Sequence, residues 1–199
     1  SNKLAPNGKP FVDFSANINP LGIPNGVKVA LRNALKQCVN YPDPFCRELR
    51  TATANFLQVA EENIFFGNGA ADVLFRLALA LKPQKALLLA PTFADYEKAL
   101  RSVDCEIEYY NLQEEKAFKV QQDILQAITP KIDIVVICNP NNPTGQLTNR
   151  ELLLEILNKC VEVNAKLLID ECFMDFVDET KAFSMRALLE QYPNVIILK

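Results

Sequence analysis

The run Asn139-Pro140-Asn141-Asn142-Pro143-Thr144-Gly145 follows one apolar stretch, residues 132–138, and Asp170 closes another, residues 166–169. Stretches this apolar read as strands of a parallel sheet, whose carboxyl ends line a single edge where ligands bind. An amide and a carboxylate therefore converge on one crevice. The pair suits a heteroaromatic ring: Asp170 can keep a ring nitrogen protonated, and Asn142 can donate to a ring hydroxyl. Other roles are open to both residue types. Asp170 could cap a helix or pair with a Lys or Arg, and Asn142 could be a turn residue in a Pro/Gly loop.

Further candidates sit at other strand ends. Residues 63–67 run into Asn68-Gly69-Ala70 and then a helical pattern. Small residues let the backbone approach an anion, and a helix amino terminus offers free N–H groups to it. The same residues also make a plain strand-to-helix turn. A dinucleotide fingerprint fails here, because Asp72 stands where the third glycine belongs and the next strand ends in Ala90-Pro91 with no acid for a ribose. Phe93, just past the strand at 85–90, can stack on a ring or pack in the core, and Tyr96 one turn later reads as packing. The chain contains no histidine. That removes Ser-His-Asp and Cys-His nucleophiles and His-based zinc sites. Six cysteines form no CxxC pair, and no metal site is expected. Acid–base chemistry falls to Lys, Tyr, Asp, Glu or a cofactor. Pyridoxal phosphate needs both an acid at its ring nitrogen and a donor at its hydroxyl, since the protonated pyridine is its electron sink.

Six segments in order carry a resemblance: Asp13-Phe14-Ser15-Ala16-Asn17-Ile18-Asn19-Pro20-Leu21-Gly22, Tyr41-Pro42-Asp43-Pro44, Gly67-Asn68-Gly69-Ala70-Ala71-Asp72, Pro91-Thr92-Phe93-Ala94-Asp95-Tyr96, the Asn/Pro run, and Asp170-Glu171-Cys172-Phe173. The chain resembles the fold-type I pyridoxal-phosphate enzymes, in the branch holding threonine-phosphate decarboxylase and histidinol-phosphate aminotransferase. The resemblance implies that Gly69 and Ala70 bind the cofactor phosphate, Phe93 covers the ring, Asn142 donates to the ring hydroxyl, and Asp170 meets the ring nitrogen, with Glu171 behind it. It implies a homodimer in which Tyr41 reaches the phosphate of the neighbouring subunit, and substrate contacts from Asn17, Gly22 and Asn142. The Schiff-base lysine of the family falls a few residues past Lys199, so no catalytic residue is assigned within the chain. Phe173 departs from the tyrosine that many relatives carry; it cannot donate to the ring oxygen. Phe173 and the arm around Asn17 look more like the decarboxylases. The implied parent function is decarboxylation of L-threonine O-3-phosphate to aminopropanol phosphate in cobalamin assembly. The alternatives are histidinol-phosphate aminotransferase and a non-catalytic cofactor-binding fragment.

The positioning elements follow from periodicity. Strands are expected at 63–67, 85–90, 105–110, 132–138, 166–170 and 195–199. Helices are expected at 25–38, 45–58, 70–81, 92–102, 121–128, 149–163 and 182–191. This alternation argues an α/β fold, a mostly parallel sheet with helices on both faces. Residues 1–30 read as an amino-terminal arm and 31–199 as a cofactor-binding large domain, truncated at its carboxyl end because the family's phosphate-binding arginine, a further strand and a small domain are missing. The 199 residues are 49% hydrophobic and 23% charged with net charge −3, ordinary for a globular protein. That charge provides no nucleic-acid footprint, and no apolar run approaches the roughly 18 residues of a membrane span. The expected partner is a small phosphorylated amino acid, and the cytoplasm is the default compartment.

Overall fold

Five apolar runs pair into one sheet in the computed structural model, which describes residues 17–178 and 183–199. They are β1 (Lys85–Ala90), β2 (Glu106–Asn111), β3 (Ile134–Cys138), β4 (Lys166–Asp170) and β5 (Val195–Leu198), in the order β2-β1-β3-β4-β5, every pair parallel. All five residues of β3 are buried, as a central strand covered on both faces requires. The chain leaves β1 in one direction to make β2 and in the other to make β3, β4 and β5. The order thus reverses between β1 and β3, and in such sheets the ligand crevice opens beyond the strand ends at that reversal.

Side chains alternate along each strand and build two cores. Leu87, Leu89, Val135, Ile137, Leu167 and Ile169 face one side with α5 (Ile124–Ala127) and α6 (Arg150–Glu162). Ala86, Leu88, Ile134, Val136, Cys138 and Leu168 face the other with α3 (Gly69–Leu81) and α4 (Asp95–Arg101). Leu153, Ile156, Leu157 and Cys160 of α6 are buried at helical spacing, each large side chain worth roughly 1.5–3 kcal/mol of transfer. The Asn149 side chain caps this helix by accepting from Leu152 N at 2.9 Å. On the edge strand β2, the Glu106 and Glu108 carboxylates each lie 3.0 Å from Lys85 Nζ of β1, charges that discourage edge pairing.

Cα packing divides the chain into two units, Ser1–Leu57 and Gln58–Lys199. The sheet belongs to the second. The first holds α1 (Asn25–Ala34), a single 3-10 turn at Leu35–Gln37, and α2 (Arg47–Leu57). Asp43 starts α2 by accepting from Phe45 N at 3.1 Å and Arg47 N at 2.8 Å, and these donors, Arg47 first, hold its carboxyl below the usual carboxylate range. Residues 1–16 of the expected arm lie outside the described residues.

Two expected elements come out differently. Residues 64–67 are no strand: Ile64 has extended dihedrals, but a strand needs a ladder, and the segment has none. A cavity of about 580 Å³, lined by Asn63, Phe65 and β5 residues such as Val195 and Ile197, separates it from the sheet. Of the helix expected at 182–191, Phe183 is helical, residues 184–185 are not, and Arg186–Leu188 form a 3-10 turn; residue 182 lies outside the described residues. Buried Glu171 anchors the non-helical residues. Its carboxylate accepts from Ser184 Oγ at 2.7 Å and Met185 N at 2.9 Å, and Ser184 Oγ in turn accepts from Arg186 N at 3.2 Å. Two other helices are shorter than expected: α4 starts at Asp95 rather than residue 92, since Pro91-Thr92-Phe93 forms a loop, and α5 spans only Ile124–Ala127. Among the described residues, no helix is long and apolar enough to cross a membrane, and no three His, Cys, Asp or Glu side chains gather as metal ligands.

Candidate functional site

The loops after β1 and β3 carry Phe93 and Asn142, so the reversal of strand order places both at the crevice. The register of β3 on β4 sets Cys138 beside Asp170, and Asn139 N donates to Asp170 O at 2.8 Å. Asp170 is 5% exposed. Burying a carboxylate is costly unless its oxygens find donors. Asp170 Oδ1 accepts from Cys172 N at 2.9 Å, a local turn, and Oδ2 accepts from the Tyr96 hydroxyl at 2.5 Å. Both donors are neutral. Neither the helix cap nor the Lys or Arg partner that residue type allowed is what holds it.

Tyr96, read from the sequence as packing, does pack, and it also carries this bond. A buried tyrosine needs a partner for its hydroxyl, which was the available signal. Burial, then the neighbouring Cys138 and Asp170, push its phenol far above the ordinary range, so it stays a donor. The half-buried Phe93 ring meets Tyr96 edge-on, centroids 5.5 Å apart at 80°. Burial raises the Cys138 thiol to about 11, and the Cys172 thiol also moves up for the same reason, which favours the thiol over the thiolate in both.

The three asparagines of the loop divide the work. Asn139 is fully buried and exchanges bonds with Thr148, accepting from its N at 2.8 Å and donating to its O at 3.3 Å. Asn141, 4% exposed, accepts from Thr92 Oγ1 at 2.8 Å and donates to Pro91 O at 3.0 Å and Thr144 Oγ1 at 2.9 Å. It ties the loop after β3 to the loop after β1, a role the sequence did not reveal. Half-buried Asn142 is left over: its side-chain amide has no protein partner among the described residues.

The amino terminus of α3 supplies the anion end. Gly69 takes φ +84° with nothing within 4 Å of a Cβ placed there, so backbone conformation, not space, demands glycine. At Gly67 the reverse holds, since a Cβ would lie 2.6 Å from Val73 Cγ2. Asp72 Oδ2 takes Asn68 N at 2.8 Å, and Arg76 Nε answers Asp72 Oδ1 at 2.8 Å. The Asn68 N–H, then Arg76, hold the Asp72 carboxyl below its usual range. The N–H groups of Gly69, Ala70 and Ala71 belong to the turn that no helical carbonyl serves. Ala70 packs on the same core cluster as Phe93, Tyr96 and Cys138.

These residues fit pyridoxal phosphate. The donor set offers free N–H groups for a phosphate, a half-buried aromatic face and, among the described residues, an unclaimed amide and a buried carboxylate with no cation bonded to it. Asn17, Gly22 and Tyr41 lie in the other unit, each exposed, with Gly22 at φ +71° closing a turn on Asn19 O at 3.0 Å. Lys199 follows β5 and pairs with Asp175 Oδ1 at 2.7 Å.

A sequence profile of the family described as aminotransferase class I and II matches residues 9–199. Threonine-phosphate decarboxylase of Salmonella typhimurium is 40% identical over 189 residues, covering 95% of this chain and 51% of that protein. Histidinol-phosphate aminotransferase of Bacillus velezensis is 33% identical over 190 residues, covering 94% and 52%. The crystal structure of the histidinol-phosphate aminotransferase from Clostridium acetobutylicum superposes with a TM-score of 0.84 at 29% identity, over 94% of this chain and 55% of that one. The chain thus spans about half the length of the relatives it matches. With this profile match along nearly its whole length, the chain belongs to the aminotransferase class I and II family.

Proposed function

We propose that the chain holds pyridoxal phosphate at the β1/β3 reversal and that its parent enzyme decarboxylates L-threonine O-3-phosphate, as in cobalamin side-chain assembly. The observation that carries the cofactor reading is Asp170: a buried carboxylate at a strand end whose partners among the described residues are all neutral. Bound there, pyridoxal phosphate supplies an electron sink for the pair left when a bond to the substrate's α-carbon breaks. Asp170 holds the proton on the ring nitrogen that makes the sink deep. Asn142 donates to the ring hydroxyl and reaches the substrate. Phe93 covers one ring face, and the Gly69 and Ala70 N–H groups hold the phosphate.

The substrate reading rests on the 40% identity to a threonine-phosphate decarboxylase and on Phe173, which packs with Phe176 at 6.2 Å between centroids and has no hydroxyl to offer. Asn17 and Gly22 join the substrate site in this reading, Tyr41 of the partner subunit completes the phosphate end in a homodimer, and six free thiols suit a reducing cytoplasm. Histidinol-phosphate aminotransferase is the second reading, favoured by the TM-score of 0.84.

The test is a product assay on the protein encoded by the natural gene. Aminopropanol phosphate from O-phospho-threonine is expected. Transfer of the amino group from histidinol phosphate to an oxo acid supports the second reading, and cofactor binding without either product leaves a binding fragment.

A further inference from the structure

Tyr96 lies at the centre of the gathered residues and is assigned nothing by the reading above. It is 1% exposed, and its hydroxyl donates to Asp170 Oδ2 at 2.5 Å. Its ring takes the Phe93 ring edge-on at 5.5 Å. Phenylalanine would fill nearly the same volume without burying a hydroxyl, so packing alone does not call for tyrosine here.

We propose that Tyr96 is the positioning residue of the site: its hydroxyl fixes the orientation of the Asp170 carboxylate, and its ring backs Phe93, so that one side chain sets the angle between the group facing a ring nitrogen and the group covering the ring. The inference rests on the cofactor reading above. The terminal torsion of an aspartate is broad and roughly two-fold, so one backbone bond from Cys172 N leaves the carboxylate plane free to turn. The Tyr96 bond comes from a different element, α4, and removes that freedom. The phenol stays protonated, so it only donates toward the carboxylate. Each carboxylate oxygen keeps capacity for a second donor, which a protonated ring nitrogen supplies. Arginine or lysine in place of this tyrosine would compete with that ring as the countercharge; a neutral donor orients without competing.

The test compares two probes on the 199-residue chain by calorimetric titration: pyridoxine phosphate, and its carbocyclic counterpart with C–H in place of the ring nitrogen. Wild type is expected to prefer the pyridine. Tyr96→Phe is expected to cut that preference about ten-fold, the worth of one oriented charge-assisted hydrogen bond, with carbocycle affinity nearly unchanged. Asp170→Asn is expected to abolish the preference, and adding Tyr96→Phe to it to change nothing more. Equal weakening of both probes by Tyr96→Phe, or no change in either, overturns the positioning role. Wild-type binding without preference overturns the Asp170 reading instead, and no binding of either probe overturns both. If Tyr96→Phe loses its fold by circular dichroism, a ring-fluorinated tyrosine at 96 keeps the shape and strengthens the donor. A raised pyridine preference then supports the role, and an unchanged one overturns it.

Discussion

Asn141 Oδ1 accepts the Thr92 hydroxyl at 2.8 Å, and this one bond joins the loops on either side of the strand-order reversal. The amide of Asn141 also donates to Pro91 O at 3.0 Å. Phe93 and Asn142, each one residue beyond a clamped position, owe their relative placement to it. Asn141→Ala is expected to cost about 1–3 kcal/mol, since it leaves buried polar partners unpaired. Urea denaturation reads that loss. Pyridoxal phosphate affinity should fall as well, and retained affinity at reduced stability would show that the clamp serves the fold only.

Asp170→Asn in the natural-gene enzyme is expected to lower kcat by orders of magnitude. An amide cannot keep the ring nitrogen protonated, so the electron sink is lost. The Cys172 N–H keeps an acceptor in this variant, so the fold should persist. Steady-state kinetics beside a thermal melt separates the two effects. Turnover near wild type would remove Asp170 from the role.

The two glycines before α3 fail differently when changed. Gly69→Ala forces a Cβ into φ +84°, expected to cost about 1–2 kcal/mol. Gly67→Ala meets Val73 Cγ2 at 2.6 Å and Asp72 Oδ2 at 2.8 Å, an overpacking cost of about 1–3 kcal/mol. Both should weaken inorganic phosphate binding, measured by competition with pyridoxal phosphate, because both move the N–H groups of the first turn.

Glu171 makes stability depend on pH. Burial raises its carboxyl above the ordinary 4.5, against the Met185 N–H and Ser184 donors and the nearby Lys199 and Arg186 charges. The folded state therefore holds this proton more tightly than the unfolded chain. Its contribution is fully present below 4.5 and is lost as pH rises through the folded value. Melting temperature should fall with rising pH across that window in wild type, and less in Glu171→Gln. Parallel pH profiles for the two proteins would exclude Glu171 as the source.

What the sequence determined by itself is local. The strands at 85–90 and 166–170 form with the bounds their apolar runs indicate, because a run of large apolar residues between turn signals has few other ways to be buried. The parallel α/β class follows from the alternation of such runs with helical patterns, and the six motifs in order carry the family. Tertiary structure decided the rest. Ile64 is extended, but residues 64–67 make no strand, since a ladder depends on what lies alongside. The helix expected at 182–191 is interrupted at residues 184–185, where Met185 N donates to Glu171. Among three similar asparagines, only packing shows that Asn139 and Asn141 are spent on the loops while the Asn142 side chain has no protein partner among the described residues. The Tyr96–Asp170 bond is the clearest case: burial makes both groups need a partner, but only the seating of α4 on the sheet makes each the partner of the other.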